Sequence, residues 1–179
     1  MSDSSPASVD PKLPRDLAAE KGLVNVQIDD VWVQVPKGTR MIEACRQAGT
    51  IVPHYCYHPK LTSPGSCRMC LVQTGMPPRP VPGQETPVDG DGYQPIKWMP
   101  RPVSACANTV AENMGVRTKG DLVEECRHGV MEFLLINHPL DCPICDQAGE
   151  CRLQELSVNY GRGSSRFLDM KIKKPKNVD

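Results

Sequence analysis

The stretch LVNVQIDDVWVQV, residues 23–35, alternates apolar and polar side chains on both sides of the pair Asp29 and Asp30. Alternation of this kind places every second side chain on the same face of a β-strand, and two such runs joined by two residues predict a β-hairpin. Asp-Asp is a weaker turn signal than Asp-Gly, because the tightest hairpin turns need two residues with positive φ. The prediction of a hairpin therefore rests on the alternation in the two strands and not on the turn residues.

A short helix is predicted directly after the hairpin. Residues 36–38 break the strand pattern, Thr39 is a candidate N-cap, and Gly49 is suited to end the helix. Cys45 shares the apolar face of this helix and is predicted to be a buried small hydrophobe. Strand, strand, helix and then a cysteine-bearing loop is the opening order of a β-grasp ferredoxin. The predicted fold class is therefore α+β, with further strands at residues 68–74, 102–107 and 114–118.

Four cysteines in the pattern C-x10-C-x2-C-x35-C form the first candidate metal site: Cys56, Cys67, Cys70 and Cys106. A 2Fe–2S cluster takes two thiolates on each iron, and plant-type ferredoxins supply them as C-x4-C-x2-C followed by a distant cysteine. The x2 pair is present here, while the first gap is longer. Four thiolates also suit zinc, but zinc sites commonly contain two C-x2-C pairs. The pattern favours a 2Fe–2S cluster.

A Rieske-type site is the other iron–sulfur possibility for this region. Cys56, Tyr57 and His58 supply one half of its motif, C-x-H. The second half would need C-x2-H, and position 70 is a cysteine. Ligation by four cysteines therefore remains the better interpretation, and His54 and His58 are predicted to be surface residues.

The second candidate metal site is the run H-x3-C-x2-C-x5-C, formed by His138, Cys142, Cys145 and Cys151. Apolar residues at helical spacing follow Asp121, and Pro139 is predicted to end that helix, so His138 would lie at the helix exit. Three thiolates and one imidazole fit a 4Fe–4S cluster with a histidine ligand. A zinc Cys3His site is the alternative. In a further alternative His138 only caps the helix, and water, Asp141 or His128 is the fourth ligand.

Composition limits the other functions that this chain can have. Its 179 residues contain 21 Lys and Arg against 21 Asp and Glu, so there is no general basic signature for nucleic acid. No run of 18 apolar residues predicts a membrane span. Nine cysteines with C-x2-C pairs favour metal ligation in a reducing compartment over disulfides. Cys126, like Cys45, is predicted to be a buried apolar residue rather than a ligand.

Four segments follow from these patterns. Residues 1–22 are predicted to be a disordered polar tail, and residues 169–179 a basic tail to which no role is given. Residues 23–118 would form the 2Fe–2S ferredoxin-like domain, with residues 75–100 as a loop insertion rich in Pro, Gly and Asp. Residues 119–168 would form a small, mostly helical domain for the 4Fe–4S cluster.

Three segments resemble a known family: VPHYC at residues 52–56, CRMCLV at 67–72 and EFLLINHPLDCPICDQ at 132–147. They are similar to the N-terminal part of the large iron–sulfur subunit of bacterial respiratory complex I (NADH:quinone oxidoreductase). The similarity extends over about residues 22–168. It implies one 2Fe–2S cluster on the first four cysteines and one 4Fe–4S cluster on the second set of ligands.

The resemblance also implies a function without a catalytic site in this chain. Electrons from NADH, taken first by a flavin in a partner subunit of complex I, would pass through the clusters toward quinone. The protein would be cytoplasmic and peripheral, attached through the complex to the inner face of a bacterial plasma membrane. An iron–sulfur subunit of an NAD-linked hydrogenase or formate dehydrogenase is an alternative. A zinc-stabilised scaffold or assembly module is an alternative of another class.

Two features depart from the family pattern. The gap between Cys70 and Cys106 is longer than in many members, because residues 75–100 lie within it. The family also continues with further cysteine motifs for another 4Fe–4S cluster and with a large molybdopterin-enzyme-like domain. We therefore expect a fragment, a split gene product or a short variant, in which the two clusters lack a good direct link.

Overall fold

The computed structural model of the chain describes residues 21–79, 87–90 and 92–172. Most of the predicted tail at 1–22, part of the predicted insertion at 75–100, and the end of the basic tail lie outside the described residues. The chain divides into two compact units, one ending at Val123 and the other beginning at Glu124. No helix within the described ranges is long and apolar enough to cross a membrane.

The predicted hairpin is confirmed in the first unit. Strand β1 (Leu23–Ile28) pairs antiparallel with strand β2 (Val31–Pro36). The turn residues Asp29 and Asp30 have φ values of 45° and 69°, so both occupy the left-handed region that a primed turn requires. Aspartate tolerates this region better than most residues, because its short polar side chain makes local hydrogen bonds.

Four more strands complete a mixed sheet: β3 (Leu71–Met76), β4 (Lys97–Trp98), β5 (Val103–Ser104) and β6 (Met114–Arg117). The order is β2-β1-β6-β3-β4, with β5 paired to β3. The pair β1 and β6 is parallel, and the other pairs are antiparallel. The strand predicted at residues 102–107 has only two residues, because the chain turns at Ser104, whose carbonyl accepts a hydrogen bond from Ala107 at 3.2 Å.

Helix α1 (Met41–Gln47) follows the hairpin, but its N-terminus is not capped by Thr39 as predicted. The N-cap is Arg40, and no side chain caps the helix. Backbone carbonyls far along the chain replace the side-chain cap: Asn108 accepts from Met41 at 2.9 Å and Ala105 accepts from Ile42 at 3.1 Å. The cap prediction was wrong because these carbonyls satisfy the free amides of the first turn.

The C-terminus of α1 is formed as predicted. Gly49 has a φ of 81°, and its amide donates to Arg46 at 3.0 Å. The amide of Thr50 donates to the carbonyl of Cys45 at 2.8 Å. This pair of hydrogen bonds is a Schellman motif, in which glycine adopts the left-handed conformation at low cost.

One face of the sheet packs with α1 into the hydrophobic core. Val26, Val116 and Cys45 are fully buried in it, which confirms the prediction for Cys45. The core also contains Cys70 and Cys106. Two of the candidate metal ligands are therefore part of the apolar core and not of a surface loop.

The described part of the insertion lies on the opposite face of the sheet. Gly75 and Gly115 lie opposite each other on β3 and β6. A Cβ atom added at Gly75 would lie 2.4 Å from Cγ2 of Ile96, and one at Gly115 would lie 2.8 Å from Cη2 of Trp98. Farther across the sheet, Tyr93 stacks on Trp32 with ring centroids 3.7 Å apart. The described part of the insertion is thus packed on the sheet, and the glycine pair provides the space that this packing needs.

The second unit is helical and short of apolar core. Helix α2 (Asp121–Leu135) enters it, a 3-10 turn (Cys142–Ile144) follows, and helix α3 (Arg152–Tyr160) comes directly after Cys151, in agreement with the prediction of a mostly helical domain. Helix α2 ends at Leu135, four residues before Pro139, which is earlier than predicted. Cys126 on α2 is partly exposed, so its predicted burial was wrong.

Asp29→Ala is expected to destabilise the first unit. The carboxylate accepts hydrogen bonds from the Thr118 amide at 2.7 Å and from its hydroxyl at 2.6 Å, and Thr118 is buried. Loss of these charge-assisted bonds should lower the free energy of unfolding by about 2 kcal/mol. Chemical denaturation of the full chain measures the change.

Asp30→Ala is the matched control, since Asp30 also has positive φ in the same turn. Any backbone strain from alanine affects both variants, and only the loss of the bonds to Thr118 distinguishes them. Equal destabilisation of the two variants would contradict the assigned role of Asp29.

Candidate metal centres

Strand pairing brings Cys70 and Cys106 together. Leu71 lies opposite Ser104 across the β3–β5 pair, so the residue before β3 and the chain after β5 meet at the same end. The amide of Ala105 donates to the carbonyl of Cys70 at 3.0 Å. Both cysteines are buried. Burial, with a smaller contribution from Cys106, raises the pKa of Cys70 to about 12.

Cys56 and Cys67 form the second contact within this group. The amide of Cys67 donates to Sγ of Cys56 at 3.5 Å, and both side chains are half-buried. Burial alone would raise the pKa of Cys56, but hydrogen bonds from Cys67 and Ser66 outweigh it and lower the pKa to about 7. Cys67 lies three positions before Cys70 in the C-x2-C segment, so the two pairs of cysteines adjoin each other along the chain.

The C-x2-C segment needs an unusual backbone conformation. Arg68, between the two cysteines, has a φ of 60°, which turns the chain sharply inside the motif. Gly65 precedes the motif with a φ of 62°, and a Cβ atom there would lie 3.4 Å from Cβ of Ala107. The loop before Cys67 therefore packs against the loop that contains Cys106.

Tyr57 connects the loop of Cys56 to helix α1. Its hydroxyl donates a 2.6 Å hydrogen bond to Glu43, and its ring is buried beneath the guanidinium of Arg40. Burial, followed by the Glu43 contact, raises the pKa of Tyr57 to about 12. Sequence analysis missed this contact, because the two residues are fourteen positions apart and match no motif. Tyr57 and Glu43 are therefore positioning residues for the loop.

The two histidines near Cys56 differ in exposure. Nδ1 of His54 lies 2.9 Å from the carbonyl of Val52, and its half-buried ring meets Tyr57 edge-on. The prediction that His54 is a surface residue was therefore wrong. His58 is exposed as predicted, and its Nδ1 accepts from the amide of Lys60 at 3.2 Å.

The predicted ligands of the second site all line one cavity of about 750 Å³ in the second unit: His138, Cys142, Cys145 and Cys151. Cys142 and Cys145 lie at either end of the 3-10 turn, and Cys151 is the N-cap residue of α3. The Cys151 thiol makes no capping hydrogen bond, so the N-terminus of α3 does not occupy its sulfur. Apolar side chains, among them Leu135 and Leu153, complete the walls.

The candidates for the fourth ligand of the second site differ in their position relative to the three cysteines. His138 is exposed at the exit of α2, where its amide donates to the carbonyl of Leu135 at 3.2 Å. Asp141 lines the same cavity. His128 lies instead on α2, 3.9 Å from Glu125. His138 and Asp141 are thus the two candidates that the fold brings to the three cysteines.

The donor sets fit iron–sulfur clusters. In the described part of the chain, no three side chains of His, Cys, Asp or Glu converge as the ligands of one metal ion. A cluster separates its ligands, because they bind to different iron atoms. Four cysteines on two adjoining loops suit 2Fe–2S, and three cysteines with one histidine around a cavity suit 4Fe–4S.

Comparison with known proteins supports the same division of the chain. Residues 21–94 match the 2Fe-2S iron-sulfur cluster binding domain. Residues 127–166 match the NADH-ubiquinone oxidoreductase-G iron-sulfur binding region. The chain therefore combines a 2Fe–2S ferredoxin-like domain with this iron–sulfur region, in an α+β protein.

Relatives and a solved structure give the same picture. The 75 kDa subunit of the NADH-ubiquinone oxidoreductase of Reclinomonas americana is 43% identical over 83% of this chain and 18% of its own length. The corresponding G-type subunit of the NADH-quinone oxidoreductase of Rickettsia conorii is 40% identical over 83% of this chain and 19% of its own length. The chain thus spans less than a fifth of these relatives.

A solved chain from the NAD+-reducing NiFe-hydrogenase in its H2-reduced state has a similar fold, with a TM-score of 0.62 and 24% identity. The match covers 85% of this chain and 55% of that one. At this identity the likeness concerns the fold alone. On the two matched regions and the more similar relatives, the protein belongs to the family of the G-type, or 75 kDa, iron–sulfur subunits of NADH-quinone oxidoreductase, whose iron–sulfur binding region it carries.

Proposed function

We propose that this chain is an electron-relay segment of an NADH:quinone oxidoreductase, respiratory complex I. Electrons from NADH, taken up by a flavin in a partner subunit, would pass through its clusters toward quinone. The observation that carries the proposal is the second cavity, which His138 and three cysteines line together in a region matched to the oxidoreductase-G family. Membership of the family supports complex I as the setting.

We infer that Cys56, Cys67, Cys70 and Cys106 hold a 2Fe–2S cluster in a β-grasp domain. The mixed sheet with α1 on one face supports this fold. The contact between Cys56 and Cys67, and the β3–β5 pairing that brings Cys70 beside Cys106, would provide a pair of thiolates for each iron. The buried pair excludes water from one side, and the amide of Cys67 donates to a ligand sulfur, which stabilises its negative charge.

His138, Cys142, Cys145 and Cys151 would hold a 4Fe–4S cluster in the second domain, which we place at residues 119–168. Either cluster supplies one-electron chemistry when bound, and no acid–base group in this chain is needed for it. A neutral imidazole replaces one thiolate and removes one negative charge from the ligand set. That change by itself raises the reduction potential of the site.

The proposed partners are the other complex I subunits, including the one that binds flavin and NADH. The proposed location is cytoplasmic, peripheral on the inner face of a bacterial plasma membrane through the complex. A subunit of an NAD-linked hydrogenase is the second candidate, supported by the fold likeness to the NAD+-reducing hydrogenase. The subunits that copurify with the native chain distinguish the two: a quinone-reducing membrane module favours complex I, and a NiFe subunit favours the alternative.

Anaerobic purification of the full chain tests the iron–sulfur assignment. We expect a brown protein with about six irons per chain, since one 2Fe–2S and one 4Fe–4S cluster contain that number. EPR spectra of the reduced protein should contain two signals with different temperature dependence. A colourless protein with stoichiometric zinc would contradict the proposal and support a zinc scaffold.

His138→Cys tests the histidine ligand. The variant should retain the 4Fe–4S cluster with a lower reduction potential, because a thiolate adds negative charge to the site. Redox titration followed by EPR measures the shift, and the 2Fe–2S signal serves as internal reference. His128→Ala, which alters the other histidine of this region, should leave both potentials unchanged. Loss of the cluster in His138→Cys, or an unshifted potential, would count against ligation by His138.

A further inference from the structure

The C-terminal segment of the described chain contacts the end of α2 and the turn that leads from it to His138. Nζ of Lys171 donates to the carbonyl of Leu135 at 2.6 Å and to the carbonyl of His138 at 3.0 Å. We propose that Lys171 is a positioning residue for the histidine ligand and sets the electrostatics of the second site. This inference rests on the proposed function, in which His138 binds the 4Fe–4S cluster.

Proline creates the need for this lysine. In a continuing helix the carbonyl of Leu135 would accept from the amide four residues later, which is position 139. Pro139 has no amide hydrogen, so that carbonyl lacks its helical donor. The His138 amide reaches it from three residues away at 3.2 Å, and the Lys171 ammonium supplies a second donor. A basic group at a helix C-terminus also interacts favourably with the helix dipole.

The ammonium joins two carbonyls three residues apart. Because it contacts both Leu135 and His138, it restrains the backbone between them and therefore the direction in which the imidazole leaves the chain. Without Lys171, the turn from Leu135 to His138 would sample several conformations, and each would place the imidazole differently in the cavity. Restraint of this kind reduces the entropy that a ligand loses on binding.

Two neighbouring contacts keep the segment in place along α2. Arg166 donates to both carboxylate oxygens of Glu132, at 2.8 and 2.6 Å, and lowers the pKa of that carboxyl. The amide of Ile172 donates to Oδ1 of Asn137 at 3.0 Å. The segment that contains Arg166, Lys171 and Ile172 thus runs along α2 and past its end to His138. Lys171 and Ile172 belong to the predicted basic tail, which therefore contacts the chain at and next to His138, although the sequence had suggested no role for it.

The charge of Lys171 has its own consequence. Three thiolates make the second site anionic, and reduction of a cluster adds another negative charge. A positive group beside the fourth ligand favours the reduced state, so it raises the reduction potential. Lys171 would therefore act in two ways, through the orientation of His138 and through its charge.

The test uses the full chain, purified anaerobically, with four variants. Lys171→Met removes donors and charge, Lys171→Arg retains both, and Asn137→Ala removes the neighbouring anchor without changing charge. Lys119→Met is the control, since Lys119 is an exposed lysine in the other unit. The readouts are the loss rate of the 4Fe–4S signal under a chelator, its reduction potential, and hydrogen exchange at the His138 amide.

For Lys171→Met we expect cluster loss at least about tenfold faster, as lost charge-assisted hydrogen bonds imply. The potential should become more negative, and the His138 amide should exchange faster. Asn137→Ala should accelerate loss without shifting the potential, while Lys171→Arg and Lys119→Met should resemble the unmodified chain. A Lys171→Met protein with unchanged loss rate, potential and exchange would overturn the proposal. If the unmodified chain shows no 4Fe–4S signal, the proposed function is overturned instead. Faster exchange of the His138 amide in Lys171→Met would then still support the restraint of His138 by Lys171.

Discussion

The antiparallel pairing of β3 with β5 is the constraint on which the first unit depends. It places Cys70 beside the chain that leads to Cys106, and it leaves Ala105 and Asn108 directed at the first turn of α1. The same loop therefore satisfies the helix amides and presents a candidate ligand. Loss of this pairing would separate two candidate ligands and also leave the N-terminus of α1 without hydrogen-bond acceptors.

This pairing also explains why the chain tolerates the insertion between two candidate ligands. Strand β3 leads away from Cys70 and β5 returns beside it, so residues inserted between them need not alter this pairing. The entropic cost of closing a loop grows slowly with its length. The insertion offsets part of this cost, because Ile96 and Trp98 pack on the glycine pair of the sheet and Tyr93 stacks on Trp32.

The two candidate sites are stabilised in different ways. In the first, Cys70 and Cys106 belong to a hydrophobic core, and Tyr57 fastens the remaining loop to α1 through Glu43. In the second, short helices surround a cavity, and Cys145 is exposed. Ion pairs also link Arg162 and Arg166 to α2 in the second unit, but they are partly exposed and contribute little to its stability. Bound clusters contribute to folding wherever the apolar core is small, so the proposed cluster of the second unit would contribute most there.

Features that depend on neighbouring residues could be predicted without a structure. Alternation predicted the hairpin, Gly49 predicted the end of α1, and cysteine spacing defined both candidate ligand sets. Features that depend on distant partners emerged only from the folded chain. Carbonyls near Cys106, and not Thr39, cap α1, and Lys171 provides the donor that Pro139 lacks. Helix α2 ends before Pro139, and Cys126 is partly exposed. The spacing of apolar residues and proline in the sequence predicts neither result. Hydrogen bonds to a helix end carry no sequence signal when their donor or acceptor is tens of residues away.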